Sequence, residues 1–128
     1  MKTRILLSGV ALAISFFANA ISAQTLEEVS YKNDVRPILH DYCLSCHQPG
    51  GKGYEASGLD MRTYQSLMKG TKFGSVIKPG DSFTSILNTL VEGRAHASIK
   101  MPLGMEGGLS KKNVDILKKW VDQGAKNN

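Results

Sequence analysis

"DYCLSCHQPG" (residues 41–50) holds both cysteines of this 128-residue chain and one of its three histidines. Cys43 and Cys46 stand three apart, and His47 follows directly. Three chemistries use such a cluster: a redox disulfide, part of a zinc site, or covalent attachment of haem. A Cys-x-x-Cys exchanger normally opens a helix after a strand, in a βαβ setting. Here the pair closes a helical pattern in a chain without strand signals. Structural zinc takes four ligands, and Cys43, Cys46 and His47 supply three, two of them adjacent and strained to reach one metal. His40 or His96 would have to complete the set. Cys-x-x-Cys-His is the attachment signature of c-type haem. Two residues between the cysteines, on one helical turn, span the two vinyl-derived carbons of a porphyrin. His47 then projects beneath the ring, towards the iron. The cluster therefore reads as one haem c, with Cys43 and Cys46 as covalent thioethers and His47 as proximal iron ligand.

The chain opens "MKTRILLSGVALAISFFANAISAQ" (1–24), a basic tip at Lys2 and Arg4, an apolar run from Ile5 to Ala18, and small-residue exits at 18–20 and 21–23. That order describes a secretory signal peptide. A membrane span needs about 20 apolar residues, and this run is shorter. Cleavage after Ala23 leaves residues 24–128 as one small domain, of a size at which exported proteins usually add disulfides, a metal or a cofactor. A Cys43–Cys46 disulfide would close a tiny loop and restrict the unfolded chain little. Loss of Lys2 and Arg4 lowers the formal charge from +5 to +3. The lysines at 111, 112, 118 and 119 lack interleaved aromatics, so they read as a solvated helix face, not a nucleic-acid surface. They are also the one candidate docking patch for an acidic partner.

Apolar spacing predicts helices over 33–47 (Val35, Ile38, Leu39, Tyr42), 81–93 (Phe83, Ile86, Leu87, Leu90, Val91) and 109–124 (Val114, Leu117, Trp120, Val121). Asn33, Asp81 or Ser82, and Ser110 are the expected N-caps. A shorter helix is expected over 63–70, ending at Gly70. Glycine-rich connectors fill 48–58, 70–80 and 101–108. The result is a small all-α domain of three to four helices with long loops, and loops of that length usually wrap something.

"YKNDVRPILHDYCLSCH", "SGLDMRTYQSLMKG", "IKPGDSFTSIL", "KMPLG" and "LSKKNVDILKKWVDQGA" resemble successive blocks of the planctomycete-type cytochrome c module, over nearly all of residues 31–125. Met101-Pro102-Leu103 stands where that family usually shows Met-Pro-Pro. The resemblance implies a class I-like mono-haem cytochrome c fold wrapped around one covalent haem, and it makes Met101 the distal iron ligand. Met101 also lies on a loop stiffened by Pro102, between the 81–93 and 109–124 helices. Met105 is the alternative. Met61 and Met68 read as packing residues, His40 as a surface group and His96 as a loop histidine. Trp120 and Tyr42 read equally as aromatics along the ring or as ordinary core aromatics, and Arg36, Arg62, Lys78 and Arg94 are candidates for the propionates.

A six-coordinate iron leaves no place for substrate. The expected function is a soluble periplasmic one-electron carrier, not an enzyme, which meets redox proteins such as a dehydrogenase, a reductase or a terminal oxidase. Two alternatives remain open: a haem enzyme or gas sensor with an open or displaceable sixth position, and an electron-transfer subunit of a dehydrogenase complex.

Overall fold

The apolar positions Val35, Ile38 and Leu39 do form one helical face, but the helix begins earlier than Asn33. The computed structural model describes residues 27–128, so the expected signal peptide at 1–23 lies outside the described residues, as do positions 24–26 of the expected domain. Ser30 is the cap: its Oγ accepts from the Asn33 N–H at 3.2 Å, while its own N–H donates to Asp34 at 2.8 Å. A π-helical turn, Tyr31–Val35, then runs into α1, Arg36–Tyr42. The wide turn sits immediately before Pro37, whose ring lacks a donor and crowds the carbonyl four residues upstream, so a locally opened ladder accommodates it.

Four further helices follow: α2 (Lys52–Ser57), α3 (Tyr64–Lys69), α4 (Ile86–Val91) and α5 (Lys111–Asp122), with a short 3₁₀ turn at Ala97–Ile99. The described residues thus hold five α-helices, where three to four were expected, and no strand. The extra one, α2, sits inside the 48–58 connector. It buries none of its side chains, so it leaves no apolar periodicity to read. Gly58 ends it in the left-handed conformation, at φ 76°, which favours glycine.

α3 and α5 follow their sequence signals. Thr63 accepts from the Ser66 N–H at 3.0 Å and Ser66 reaches back to the Thr63 N–H, a reciprocal cap. Ser110 caps α5 through the Asn113 N–H at 3.2 Å. α4 is shorter than the 81–93 pattern because Asp81 holds a separate turn: it accepts from the Thr84 N–H and hydroxyl and from Lys78 Nζ, at 3.0, 2.5 and 3.0 Å. Phe83, expected on the apolar face, is consequently 75% exposed and lies under the Arg94 guanidinium.

The core gathers where α5 meets α4 and the π-helical turn. Leu117, Trp120 and Val121 are buried there with Val35, Leu39 and Leu67. Tyr31 packs edge-on against Tyr64, with ring centroids 5.2 Å apart, and against Trp120 at 5.5 Å. Two of these rings have their polar ends satisfied: Trp120 Nε1–H donates to the Lys126 carbonyl at 2.9 Å, and the Tyr64 hydroxyl to the Ala125 carbonyl at 2.8 Å. Trp120→Ala should cost about 3–5 kcal/mol in urea unfolding followed by circular dichroism. Phe83→Ala should stay within about 0.5 kcal/mol of the parent.

Candidate functional site

The register that buries Ile38 and Leu39 leads straight into the cysteine cluster. The Leu39 carbonyl accepts from the N–H groups of Cys43 and Leu44 at 3.0 and 2.9 Å and closes α1. The Cys43 carbonyl then accepts from Cys46 and His47 at 3.1 and 3.0 Å, which winds one more turn. The cluster therefore lies just past α1 and not within it, as the 33–47 pattern had it. This turn points Cys43 into the protein, leaves Cys46 exposed and buries His47.

The chain next folds back on the cluster. Tyr54 N–H donates to the Cys46 carbonyl at 2.9 Å, and Met61 N–H to the His47 carbonyl at 2.8 Å. A Cβ on Gly51 would stand 2.4 Å from the Cys46 carbonyl oxygen, so this close approach requires glycine.

A cavity of about 500 Å³ opens beside the cluster, within the range of ligand sites. Cys43, Cys46 and His47 border it, as do Leu59 and Met61 from the returning segment. Ile86, Leu87, Leu90 and Val91 of α4 form apolar wall, and Met101, Leu103 and Met105 come from the loop before α5. The apolar stripe expected to bury α4 in a core thus faces this cavity in large part. A larger groove, about 600 Å³, lies elsewhere, between the Glu27–Val29 segment and the lysines of α5. It contains no sulfur or imidazole, so the smaller cavity is the one with chemistry.

All five sequence-predicted site residues, Cys43, Cys46, His47, Met101 and Met105, meet at this cavity. Met101 is partly buried, and its N–H donates to the Leu90 carbonyl at 3.1 Å, tying the loop to α4. Met105 is 40% exposed. Met61 is buried as expected of a packing residue, but it borders the cavity too; Met68 packs on the core and does not. His40 is exposed and pairs with Asp41 at 2.9 Å, and His96 caps the 3₁₀ turn through the Ser98 N–H at 3.2 Å. Neither borders the cavity.

Of the two aromatics, Tyr42 borders the cavity and Trp120 does not; Trp120 packs against Tyr31 in the core. None of Arg36, Arg62, Lys78 and Arg94 reaches the cavity. Arg62 is held by Asp60 at 2.8 Å, Lys78 by Asp81 at 3.0 Å, and Arg94 by the Phe83 carbonyl at 2.9 Å. Asp41 is the only carboxylate, lysine or arginine on the cavity border among the described residues.

Burial lowers the His47 pKa below its ordinary 6.5. The Leu59 backbone opposes that shift, yet no hydrogen bond of ordinary geometry reaches the buried Nδ1. A neutral imidazole keeps a lone pair free for a metal. Burial, reinforced by the neighbouring Cys46, pushes the Cys43 thiol up to about 11. An imidazole and methionine thioethers around an apolar cavity form a donor set that suits haem iron and disfavours a hard cation, and two cysteine sulfurs stand beside them for covalent attachment. Among the described residues no three His, Cys, Asp or Glu side chains converge as a zinc site would need.

A helical chain with Cys-x-x-Cys-His at the edge of an apolar cavity has the marks of a c-type cytochrome. The family model described as Planctomycete cytochrome C matches residues 43–102, and this stretch is a planctomycete-type cytochrome c module. The family implies haem c and electron transfer in exchange with redox partners, and Cys43 and Cys46 fit its attachment signature. Cytochrome c domains of this kind are typically exported, and no described helix is long and apolar enough to cross a membrane. No curated protein matches the chain, and no solved structure does.

Sequence reasoning missed Leu59 and Gly53 at the cavity. Both lie in or beside the helix that lacks a periodic signal. In haem-free protein, iodoacetamide should label Cys46 rapidly and Cys43 only at the rate of unfolding, read by peptide mass. The same protein should be most stable between the ordinary values of 6.5 for His47 and 9.0 for Cys43. Below 6.5 the unfolded chain takes up the His47 proton first; above 9.0 it releases the Cys43 proton first. Stability therefore falls on both sides, in denaturant titrations across pH.

Proposed function

We propose that this protein is a periplasmic one-electron carrier with a single covalent haem c, His47 as proximal ligand and Met101 as distal ligand. The observation that carries this is the convergence of Cys43, Cys46, His47 and Met101, distant in sequence, on one apolar cavity. When bound, haem supplies a reversible ferric–ferrous couple. The chain's own residues bind it, orient it and keep water away. Cys43 and Cys46 provide the two thioether sulfurs and thereby leave thiol chemistry. His47, kept neutral by burial, offers a ring nitrogen. Met101 offers a soft sulfur, which favours the reduced state more than a second imidazole does and raises the potential. Ile86, Leu87 and Leu90 of α4 make the surroundings apolar.

Residues 24–128 would form the mature domain, with 1–23 as export signal and a class I-like arrangement around the ring. A dehydrogenase, a reductase or a terminal oxidase would be the partner class. The placement of His40 and His96 away from the cavity speaks for a carrier over a haem enzyme, because it removes the two histidines able to act as distal acid–base groups.

Chain produced in cells that assemble c-type cytochromes should gain the mass of one haem and give a haem c pyridine haemochrome. Colourless protein of bare polypeptide mass would end the proposal. Met101→Ala should keep the haem and lose the weak far-red band of ferric methionine–iron ligation. If Met105→Ala loses it instead, Met105 is the ligand. Met101→His should lower the midpoint potential by on the order of 0.1 V, out of the ~0.8 V that axial ligands span.

A further inference from the structure

Gly53 lies in the first turn of α2, directly against His47. A Cβ there would stand 2.7 Å from Cε1 and 2.9 Å from both Nδ1 and Nε2 of the imidazole. Equal distances to the two nitrogens, with Cε1 only slightly nearer, place this approach over the ring face and not at its edge. Real Cβ atoms essentially never come within 3.0 Å, so any other residue requires the ring or α2 to move. Both are held. Tyr54 N–H bonds the Cys46 carbonyl at 2.9 Å, the Ser57 hydroxyl bonds the Gly53 carbonyl at 2.6 Å, and at Gly51 not even a Cβ would fit against the Cys46 carbonyl. On the other side, His47 is pinned through its N–H to Cys43 and through its carbonyl to Met61.

An imidazole turns readily about its second side-chain torsion, which is broad. In most metal sites a hydrogen bond on the non-ligating nitrogen fixes that angle. With Nε2 as the ligating atom, Nδ1 is that nitrogen; the Leu59 backbone acts on the ring, but no bond of ordinary geometry reaches Nδ1. Packing has to supply the restraint. We propose that Gly53 is a positioning residue: its bare α-carbon lies flat on the His47 ring and sets the plane in which the imidazole faces haem iron. This requires the proximal role proposed for His47 above. It also explains a glycine within a helix, where alanine is ordinarily favoured.

The test compares Gly53→Ala with Lys52→Ala in mature, haem-loaded protein. Ferric haem-methyl proton resonances follow the orientation of the axial imidazole plane. Gly53→Ala should retain full haem content but displace these resonances and shift the midpoint potential, while Lys52→Ala should leave both at parent values. If position 53 served helix stability alone, alanine would leave both readouts unmoved, and that result overturns the proposal. Should Gly53→Ala fail to mature, the ferrous parent decides. A nuclear Overhauser contact between the Gly53 α-protons and His47 Hε1 supports the proposal, and its absence overturns it. A parent chain that takes up no haem ends the carrier proposal and this one together; haem uptake with unchanged Gly53→Ala resonances ends this one alone.

Discussion

The returning segment after the cysteine cluster is held to it by main-chain bonds, and the rest of the site is arranged around that wrap. Cys43, Cys46 and His47 each offer a carbonyl to a later N–H, from Cys46 and His47, from Tyr54 and from Met61 in turn. Because each bond uses backbone alone, the side chains stay free for other work. Cys43 turns inward, Cys46 stays at the surface, and the His47 ring is buried with an uncharged lone pair. A buried polar ring in apolar surroundings is costly unless something engages it. A group that binds one ring nitrogen would offset part of that cost, which is the physical content of the proposed ligation.

The opposite wall depends on a different balance. α4 exposes Ile86 by half and lets Leu87, Leu90 and Val91 face the cavity. Large apolar side chains around an open cavity are unusual on a domain that keeps to itself. The loop before α5 adds Met101 and Leu103, and the Met101 N–H bond to Leu90 couples that loop to the helix. Charge, by contrast, is kept elsewhere. Arg62, Lys78 and Arg94 are held by neighbouring acids or carbonyls, and α5 lysines lie on a separate surface. The cavity border is thus low in charge, which suits a couple in which the iron's own charge changes by one.

Helices with a buried stripe and a good cap were legible. α5 announces itself through Ser110 and the Leu117–Trp120–Val121 face, and α3 through Gly70 at its end. The 81–93 stripe was legible as apolar but not as to where it begins, because Asp81 resembles a helix cap while capping a turn of its own. α2 was invisible, since it buries nothing and is built from Lys52, Gly53 and Glu55 on a mostly exposed turn.

The Cys43, Cys46 and His47 cluster is legible as an attachment signature in the sequence by itself, because its spacing is a local property of one turn and needs no distant partner. Met101 and Met105 could be named but not placed, and Trp120, open in the sequence between the ring and the core, lies in the aromatic core. Those questions turn on which buried surfaces meet, and apolar attraction has no direction in sequence. Only the folded chain decides that Tyr31 takes Trp120, that α4 and Cys43 border one cavity, and that Gly53 comes to rest on the His47 ring.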